Sequence, residues 1–515
     1  MDVLDIARWQ FGITTVYHFL MVPLTIGLGL LVAVMHTMWV RTDKPEWLRM
    51  TRFWGRVYLI NFVLGVATGL VQEFQFGLAW SEYSRFVGDV FGSLLAMEAL
   101  LAFFLESTFL GLWIFGWGRI PKKVHLAALW AAVLGSVVSA YFIIAANSWM
   151  QHPVGVVMDG DAPRLTSIGA VLTNNTAIAA FSHAVVAALT VAGALLVGIG
   201  LWHLRRRRLA GLSPDDVDHR VWHRSVRLGG WVSLAAFLAV ALTGDWQGKL
   251  MYQQQPLKMS SAEALCETEA PASFSVFAFG KLGSNECDDV HSFTVPYVLS
   301  YLAHGDFSTA VPGVNELQER YAEVYGATYP DDPDRFGDLA GEPVDYSPVL
   351  AVTYWGFRLM IGMGVLSAGV GAYALWATRK GRVPTSKVGV YGSLLAVGAP
   401  FVGNAAGWVF TEMGRQPFVV VPNPDVPVDE QIWFFTAQAV SPGVTAAEVW
   451  TSLSVLTLVY GVLAVIEFGL LAHFVRRGVT SGDGAPTPGG PPGGSPDDDT
   501  PGGRDADDDV LSFAY

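Results

Sequence analysis

The sequence predicts an all-α integral membrane protein, built as a bundle of about nine transmembrane helices. Of its 515 residues, 52% are hydrophobic and only 15% are charged, whereas soluble domains have about 45–50% apolar and about 25% charged residues. The apolar residues also occur in blocks that are long enough to cross a bilayer, which takes about 20 residues per helix. Composition and block length together exclude an ordinary soluble domain.

Each apolar block predicts one membrane-spanning helix. The nine predicted helices lie at about residues 13–40, 53–74, 91–117, 124–148, 179–204, 228–246, 348–377, 388–412 and 447–474. The sixth is the shortest and gives the weakest signal.

Basic residues predict the orientation of the bundle, because Lys and Arg beside membrane helices stay on the cytoplasmic side. Of the 32 Lys and Arg residues, 22 follow odd-numbered helices or lie at the start of the next helix. We therefore expect the N-terminus outside and the C-terminus inside. More than half of the net charge of −13 lies after residue 479, where the chain has eight Asp residues and one Arg. The sequence carries no nucleic-acid-binding signal.

We divide the chain into four parts on this basis. Residues 1–245 hold helices 1–6, 246–347 form a folded external loop, 348–478 hold helices 7–9, and 479–515 form a disordered acidic cytoplasmic tail. The loop is far longer than an ordinary connection of about 4–6 residues, and its apolar stretches favour a folded segment. Its two cysteines, Cys266 and Cys287, are compatible with a disulfide if the loop faces an oxidising compartment.

Four ligand-type side chains lie toward the outer ends of predicted helices: His18, His183, Met360 and Glu412. Polar and ionisable groups inside a bilayer are expensive and often functional. Imidazole, thioether and carboxylate can each bind iron, and a His/Met pair is a known low-spin heme arrangement. The alternative is structural: the histidines would bond neighbouring helices, and Met360 would fill a gap in the packing.

Two acids, Glu98 and Glu106, lie eight residues apart on the third predicted helix. On an ideal helix this spacing gives about 12 Å of rise and about 80° of rotation, so the carboxylates occupy adjoining faces at successive depths. Such a pair suits a proton relay. Hydrogen bonding of protonated acids between helices is the alternative.

Two polar motifs stand beside these helices. The first is GDWQGK at residues 244–249, followed by Lys258 and Glu263, which we place in the external loop. The second is GRQP at residues 414–417, directly after the eighth helix. Taken alone, the first could be ordinary surface charge and the second a turn with a snorkelling Arg.

Several of these motifs resemble subunit I of the cytochrome bd quinol oxidases, in the same order along the chain. The resemblance covers roughly residues 1–475. It is carried by RWQFGITTVYHFL at 8–20, residues 61–69, EFQFG at 73–77, residues 98–108 and GWVFTEMGRQP at 407–417.

The resemblance implies a set of heme ligands and proton-path residues. His183 and Met360 correspond to the axial ligands of a low-spin heme b, and His18 and Glu412 to ligands of two high-spin hemes. The high-spin pair is one heme b and one heme d, or a third heme b in relatives that lack heme d. Glu98 corresponds to an acid at the high-spin site. The residues that correspond to the proton path are Glu106, Ser107 and Ser139.

The resemblance also implies a quinol site and cations beside the hemes. Lys258 and Glu263 correspond to quinol-site residues of the external loop. Arg358 and Arg415 correspond to cations near heme groups. Arg8 and Trp408 fall within the family motifs and are further candidates for cofactor binding. Because Arg358 and Met360 are two residues apart, about 200° around an ideal helix, only one of them can face a heme directly.

The implied function is a terminal quinol oxidase that oxidises quinol outside and reduces O2 to water with cytoplasmic protons, without a pump. A second large membrane subunit is implied as partner, with small single-helix subunits and membrane lipid as further contacts. Two alternatives stay open from the residues: a heme-b membrane anchor that exchanges electrons between quinone and a soluble partner, and a transporter.

Two features depart from the family pattern or limit what it implies. Phe418 stands where the family usually has Trp after GRQP, which removes an N–H donor. The stretch from Glu316 to Phe357 is short, as in the short-loop class of the family. Ubiquinol and menaquinol therefore both remain open as the substrate.

Overall fold

The computed structural model describes residues 2–280, 282, 287 and 290–479. Within these residues nine helices are long and apolar enough to cross a membrane, 74% of the structure is helical, and no sheet closes into a barrel. The predicted all-α membrane bundle is confirmed. The predicted disordered tail lies outside the described residues from residue 480 onward.

The α-helices are numbered in chain order. They are α1 (Val3–Thr42), α2 (Pro45–Leu78), α3 (Ser81–Met97), α4 (Phe104–Phe115), α5 (Lys122–Gln151), α6 (Ile168–Leu172), α7 (Asn175–Leu209), α8 (Val217–Gln254), α9 (Pro256–Glu263), α10 (Val298–His304), α11 (Val314–Tyr325), α12 (Pro333–Phe336), α13 (Leu350–Ala377), α14 (Lys387–Leu395), α15 (Gly398–Met413) and α16 (Ala446–Arg477).

The third and eighth membrane spans are each made of two helices. A π-helical turn, Glu98–Phe103, joins α3 to α4 in one continuous span. The eighth span, Lys387–Met413, combines α14 and α15. A π turn holds one residue more than an α turn and occurs frequently at functional sites.

Most membrane helices extend beyond the apolar blocks that predicted them, because polar caps also set helix ends. The side chain of Asp216 accepts a hydrogen bond from the amide of His219 at the start of α8. Thr445 and Glu448 form a capping box at the start of α16.

The predicted boundary of the external loop at residue 246 is wrong, because α8 continues to Gln254. The GDWQGK motif is therefore helical. Asp245 and Lys249, one turn apart in that motif, form an ion pair along α8, which allows the helix to continue past the apolar block.

The helices of the bundle pack closely where glycines meet. A Cβ atom added at Gly193 of α7 would lie 3.0 Å from the carbonyl oxygen of Gly229 of α8, and one at Gly229 would lie 2.6 Å from that of Gly193. The two backbones thus touch directly, as small residues permit between membrane helices.

In the described part of the chain, three two-stranded antiparallel sheets lie in the connections. Their strands are β1 (Val156–Asp159), β2 (Ala162–Leu165), β3 (Phe274–Gly280), β4 (Val290–Val295), β5 (Phe418–Val420) and β6 (Phe434–Phe435). The segments between α8 and α13 and between α15 and α16 pack on each other. The ring of Phe418 stacks on that of Phe435 at 5.0 Å and lies 5.6 Å from that of Tyr346. Phe418, which stands where the family usually has Trp, is therefore held by an aromatic cluster and not by an N–H bond.

Candidate functional site

His18 of α1 lies against α2. Its Nδ1 is 3.0 Å from the hydroxyl oxygen of Thr68, and that hydroxyl donates to the carbonyl of Leu64 at 2.8 Å. The ring also lies close to the backbone of the next residue: a Cβ atom at Gly69 would be 3.2 Å from the His18 Cε1. The residues of α2 therefore fix this imidazole.

His183 of α7 has the same surroundings on α8. Its Nδ1 is 3.1 Å from the hydroxyl oxygen of Thr243, which donates to the carbonyl of Ala239 at 2.8 Å. A Cβ atom at Gly244 would lie 3.3 Å from the His183 Cε1. Both histidines thus meet a threonine hydroxyl through Nδ1, and His18 has a further hydrogen bond to the backbone of Gly65.

Met360 of α13 lies against α15. A Cβ atom at Gly407 would lie 2.8 Å from the Met360 sulfur, so the thioether occupies a space that only glycine leaves. The ring of Trp408 stacks on that of Phe19 at 4.9 Å. The indole N–H of Trp408 is buried without a hydrogen-bond partner in the described part of the chain, so it can donate to a bound group.

Glu412, near the end of α15, begins a chain of hydrogen bonds that reaches the segment between α8 and α13. Its Oε1 accepts from Asn147 at 2.7 Å, and Asn147 accepts from Gln151 at 2.8 Å. Gln151 in turn accepts from the Lys258 ammonium at 3.1 Å. The second oxygen of Glu412 pairs with Arg415. A candidate ligand and a candidate quinol-site lysine thus belong to one network.

Lys258 and Glu263 are both deeply buried at the two ends of α9. Burial, reinforced by the charge of Arg415, lowers the pKa of Lys258 to about 7. Burial raises the pKa of Glu263 to about 7, although Arg358 and the amide of Ser275 act against that rise. Both groups can therefore exchange protons near neutral pH.

Arg358 of α13 pairs with Glu263 at 2.6 Å. Its guanidinium also lies 4.5 Å from the ring centroids of both Phe274 and Tyr354. Arg358 therefore contacts the segment between α8 and α13, while Met360, two residues on, contacts Gly407 of α15. The two side chains point to different neighbours, as their spacing on a helix requires.

The two acids of the third span each bond to a serine of α5. Ser136 donates to Glu106 at 2.6 Å, and Ser139 donates to Glu98 at 2.7 Å. Ser136 and Ser139 share a face of α5, and so do the acids that meet them. Because the π turn contributes one surplus residue, it rotates the two acids nearer to one face than the about 80° expected for an ideal α-helix.

Four other predicted residues lie apart from these groups. The Ser107 hydroxyl is exposed and donates to the carbonyl of Phe103 at 2.8 Å, so it does not meet Glu106. Arg8, at the start of α1, has a partly exposed side chain 3.9 Å from Asp5. Cys266 and Cys287 are joined by a disulfide, with Cα atoms 5.1 Å apart.

The donor set fits hemes better than a bare metal ion. Among the described residues no cluster of three or more His, Cys, Asp or Glu side chains could hold a metal ion. His18, His183 and Met360 are instead seated one by one on neighbouring helices. Heme iron needs only one or two protein ligands, because the macrocycle supplies the others.

Sequence reasoning missed the polar partners of these residues. They are Thr68, Thr243, Ser136, Asn147 and Gln151. A signal existed for some of them. Asn147 and Gln151 are amides one turn apart in an apolar helix, and the dipeptide Thr-Gly occurs at both 68–69 and 243–244.

Comparisons with known proteins agree with this architecture. The family model for cytochrome bd terminal oxidase subunit I matches residues 6–479. The chain is 37% identical over 479 residues to cytochrome bd ubiquinol oxidase subunit 1 of Bacillus subtilis (strain 168), covering 93% of this chain and 94% of that protein. It is 36% identical over 462 residues to cytochrome bd-II ubiquinol oxidase subunit 1 of Escherichia coli (strain K12), covering 81% and 88%.

A solved structure shares the fold. The structure of bd oxidase from Geobacillus thermodenitrificans superposes with a TM-score of 0.74 at 25% identity, covering 92% of this chain and 99% of that chain. Family match, identity and shared fold all point the same way. This multi-pass protein of the bacterial cytoplasmic membrane therefore belongs to the cytochrome bd terminal oxidase subunit I family.

Proposed function

We propose that this chain oxidises quinol at its outer segment and supports the reduction of O2 to water within the bundle. Its relatives are quinol:oxygen oxidoreductases, and two quinols supply the four electrons that one O2 requires. We assign the N-terminus and residues 255–347 to the outer side and the C-terminus to the cytoplasm, because basic residues follow the odd-numbered helices.

Candidate ligands are available for three hemes, two of type b and one of type d or b. His183 and Met360 would hold the low-spin heme b, and His18 and Glu412 the two high-spin hemes, with Glu98 beside them. Bound heme iron supplies one-electron transfer and an open position for O2. Trp408, Arg415 and Arg8 are suited to anionic groups of the cofactors: the first offers a buried N–H, and the others are cationic.

The outer segment would handle the protons of quinol. A quinol loses two protons with its two electrons, and Glu263, with a pKa raised to about 7, can accept one of them as a general base. Lys258, whose pKa is lowered to about 7, can bind a quinol oxygen through its ammonium form. Protons released here would leave on the outer side.

Protons for water formation would come from the cytoplasm through the third span. Glu106 and Glu98 are held by Ser136 and Ser139 on one face of α5, so a proton can pass along a short polar line. Uptake on one side and release on the other separates charge without a pump. The second large membrane subunit of the complex is implied by the family, and small single-helix subunits would complete it.

One observation carries the proposal: the base of the quinol site is joined to the helix that bears a heme ligand. Glu263 pairs with Arg358 at 2.6 Å, and Arg358 lies two residues from Met360. A quinol bound at Glu263 would therefore lie against the helix that carries Met360.

The test compares two glutamates of the same segment in the purified complex. Glu263→Gln should lose most quinol-driven oxygen uptake and keep its heme content. Glu267→Gln should behave as wild type, because that side chain is exposed and bonds to Asn315 at 2.8 Å. A complex without heme bands in its reduced-minus-oxidised spectrum, or a fully active Glu263→Gln variant, would contradict the proposal. The far-red band separates heme d from a third heme b.

A further inference from the structure

The two histidines meet the same pair of residues on two different helices. Thr68-Gly69 of α2 faces His18, and Thr243-Gly244 of α8 faces His183. Each threonine hydroxyl is 3.0–3.1 Å from the Nδ1 of its histidine. The same Thr-Gly pair at two histidines on different helices indicates that it has the same structural role at both.

The hydroxyl geometry favours one tautomer of each ring. A hydroxyl has one hydrogen, and both threonine hydroxyls lie within 2.8 Å of a carbonyl one turn earlier, that of Leu64 or Ala239. A hydroxyl that donates to this carbonyl leaves its oxygen free to accept a hydrogen bond from the imidazole, and the carbonyl of Gly65 is a further acceptor for His18. This arrangement favours a proton on Nδ1 and a lone pair on Nε2 in both rings.

The glycine that follows each threonine fixes the position of the ring. A Cβ atom at residue 69 would lie 3.2 Å from the Cε1 of His18, and one at residue 244 would lie 3.3 Å from the Cε1 of His183. Both distances are tighter than ordinary van der Waals contact between carbons, about 3.5–4.0 Å. Each imidazole thus rests against a bare backbone and would be displaced by any larger residue.

We propose that Thr68-Gly69 and Thr243-Gly244 are positioning residues that hold the two imidazoles with Nε2 presented as an iron ligand. The inference rests on the proposed function, in which His18 and His183 bind heme iron. A hydrogen bond from Nδ1–H to an acceptor raises the basicity of the coordinating nitrogen. A more basic ligand favours ferric over ferrous iron, so each threonine lowers the reduction potential of one heme.

A structural role predicts something different. Hydrogen bonds between membrane helices contribute little to stability on average, so their loss would loosen the bundle slightly and would not single out one heme. Action through the ligand changes only the heme that the particular histidine binds. Heme-by-heme redox titration of the whole purified complex separates the two roles.

The key variants replace each threonine with the isosteric valine. Thr243→Val should raise the midpoint potential of the low-spin heme only, and Thr68→Val that of one high-spin heme only. Loss of an outer-shell partner typically changes metal affinity about 10–100-fold. A tenfold preference for ferrous iron corresponds to about 59 mV for a one-electron couple. Serine at either position keeps the hydroxyl and should restore the wild-type potential.

Matched controls come from the same kinds of helix. Thr51 of α2 and Thr190 of α7 are buried, and their hydroxyls bond only to carbonyls of their own helices, at 2.9 Å and 2.6 Å. Thr51→Val and Thr190→Val should leave all potentials unchanged. Unshifted potentials in Thr68→Val and Thr243→Val, or equal shifts of every heme in these and in the controls, would overturn the inference.

Failure of the proposed function gives a different result. If His183→Ala keeps the low-spin spectrum, or if His18→Ala keeps all high-spin heme, the ligand assignment falls whatever the threonine variants do. If a valine variant does not accumulate, Thr243→Ala and Thr68→Ala introduce no new bulk and can be titrated in membranes. The same heme-selective shift is expected from them, and its absence counts against the inference.

Discussion

Glu263 and Arg358 form an ion pair, Oε2 to Nη2 at 2.6 Å, with side chains only 1% and 8% exposed. The pair joins the end of α9 to α13, so it connects the proposed quinol base with the helix that carries Met360. Removing one partner of a buried pair is typically costly, about 3–5 kcal/mol, because a charge is left without compensation.

Replacing Arg358 with Gln should move the pH dependence of quinol oxidation to higher pH. Burial raises the pKa of Glu263 to about 7, and the charge of Arg358 opposes that rise. Without the charge the pKa rises further, so Glu263 becomes a competent base only at higher pH. In wild type the rate should increase through about pH 7. Arg358→Lys, which keeps the charge, should shift this limb less, and an unmoved limb in Arg358→Gln would speak against Glu263 as the base.

Replacing Met360 with Leu should convert the low-spin heme to a five-coordinate one, because leucine has no lone pair to offer iron. The volume is similar, so the packing against Gly407 should be retained. The measurement is the optical and electron paramagnetic resonance spectrum of the purified complex. Met363→Leu, on the same helix one turn away, is the control and should retain the low-spin signal. An unchanged low-spin spectrum in Met360→Leu would remove Met360 from the ligand set.

Replacing Glu106 with Gln should abolish most oxygen uptake while quinol still reduces the low-spin heme. Ser136 donates to Glu106 at 2.6 Å. Glutamine can still accept this hydrogen bond, but it cannot release a proton. Glu106→Leu should behave alike and retain less heme. Rapid-mixing reduction by quinol and steady-state oxygen uptake measure the two steps separately.

A smaller effect is expected from Ser136→Ala, which removes only the partner of Glu106. Ser93→Ala is its control, since the Ser93 hydroxyl bonds only to the carbonyl of Asp89 in its own helix. Full oxygen uptake in Glu106→Gln would show that protons take another route.

Reduction of the disulfide should loosen the segment between α8 and α13 and leave the membrane helices in place. The cysteines are 21 residues apart, and closing a loop of that size contributes roughly 3 kcal/mol in the chain-entropy model. Neither thiol should react with a maleimide before reduction, and both should react after it. The Cys266→Ser/Cys287→Ser double variant should lose quinol oxidation at a lower temperature than wild type. Labelling without a reductant would contradict this expectation.

The sequence was sufficient for the membrane helices but not for their ends. Nine apolar blocks predicted nine spans, because burial in lipid requires a continuous apolar stretch. Helix ends depend on other forces, such as the Asp216 cap and the Asp245–Lys249 ion pair. These polar residues continue a helix in water, where hydropathy gives no signal.

The site could be predicted only in part, for a similar reason. His18, His183 and Glu106 stand out in the sequence because polar groups in a bilayer are energetically costly and usually functional. The threonine and serine partners do not stand out in the sequence. Their hydroxyls can donate a hydrogen bond to a carbonyl of their own helix, so these residues are common in membrane helices. The resemblance implies Ser107 as a proton-path residue, but its hydroxyl bonds within its own helix, since consecutive residues on a helix point about 100° apart. The hydroxyl that bonds to Glu106 belongs to Ser136, on another helix.

The π turn at Glu98–Phe103 has a consequence for the tolerance of this span to changes in length. In most membrane helices the deletion of one residue rotates everything beyond it by about 100°, which disturbs packing more than a substitution does. Here the π turn already contains one residue more than an α-helix would. Deletion of Leu101, which is exposed, would convert this turn to regular α-helix and keep Glu98 and Glu106 aligned. The helix α5 has no surplus residue between Ser136 and Ser139, so a deletion there would turn one serine away from its acid.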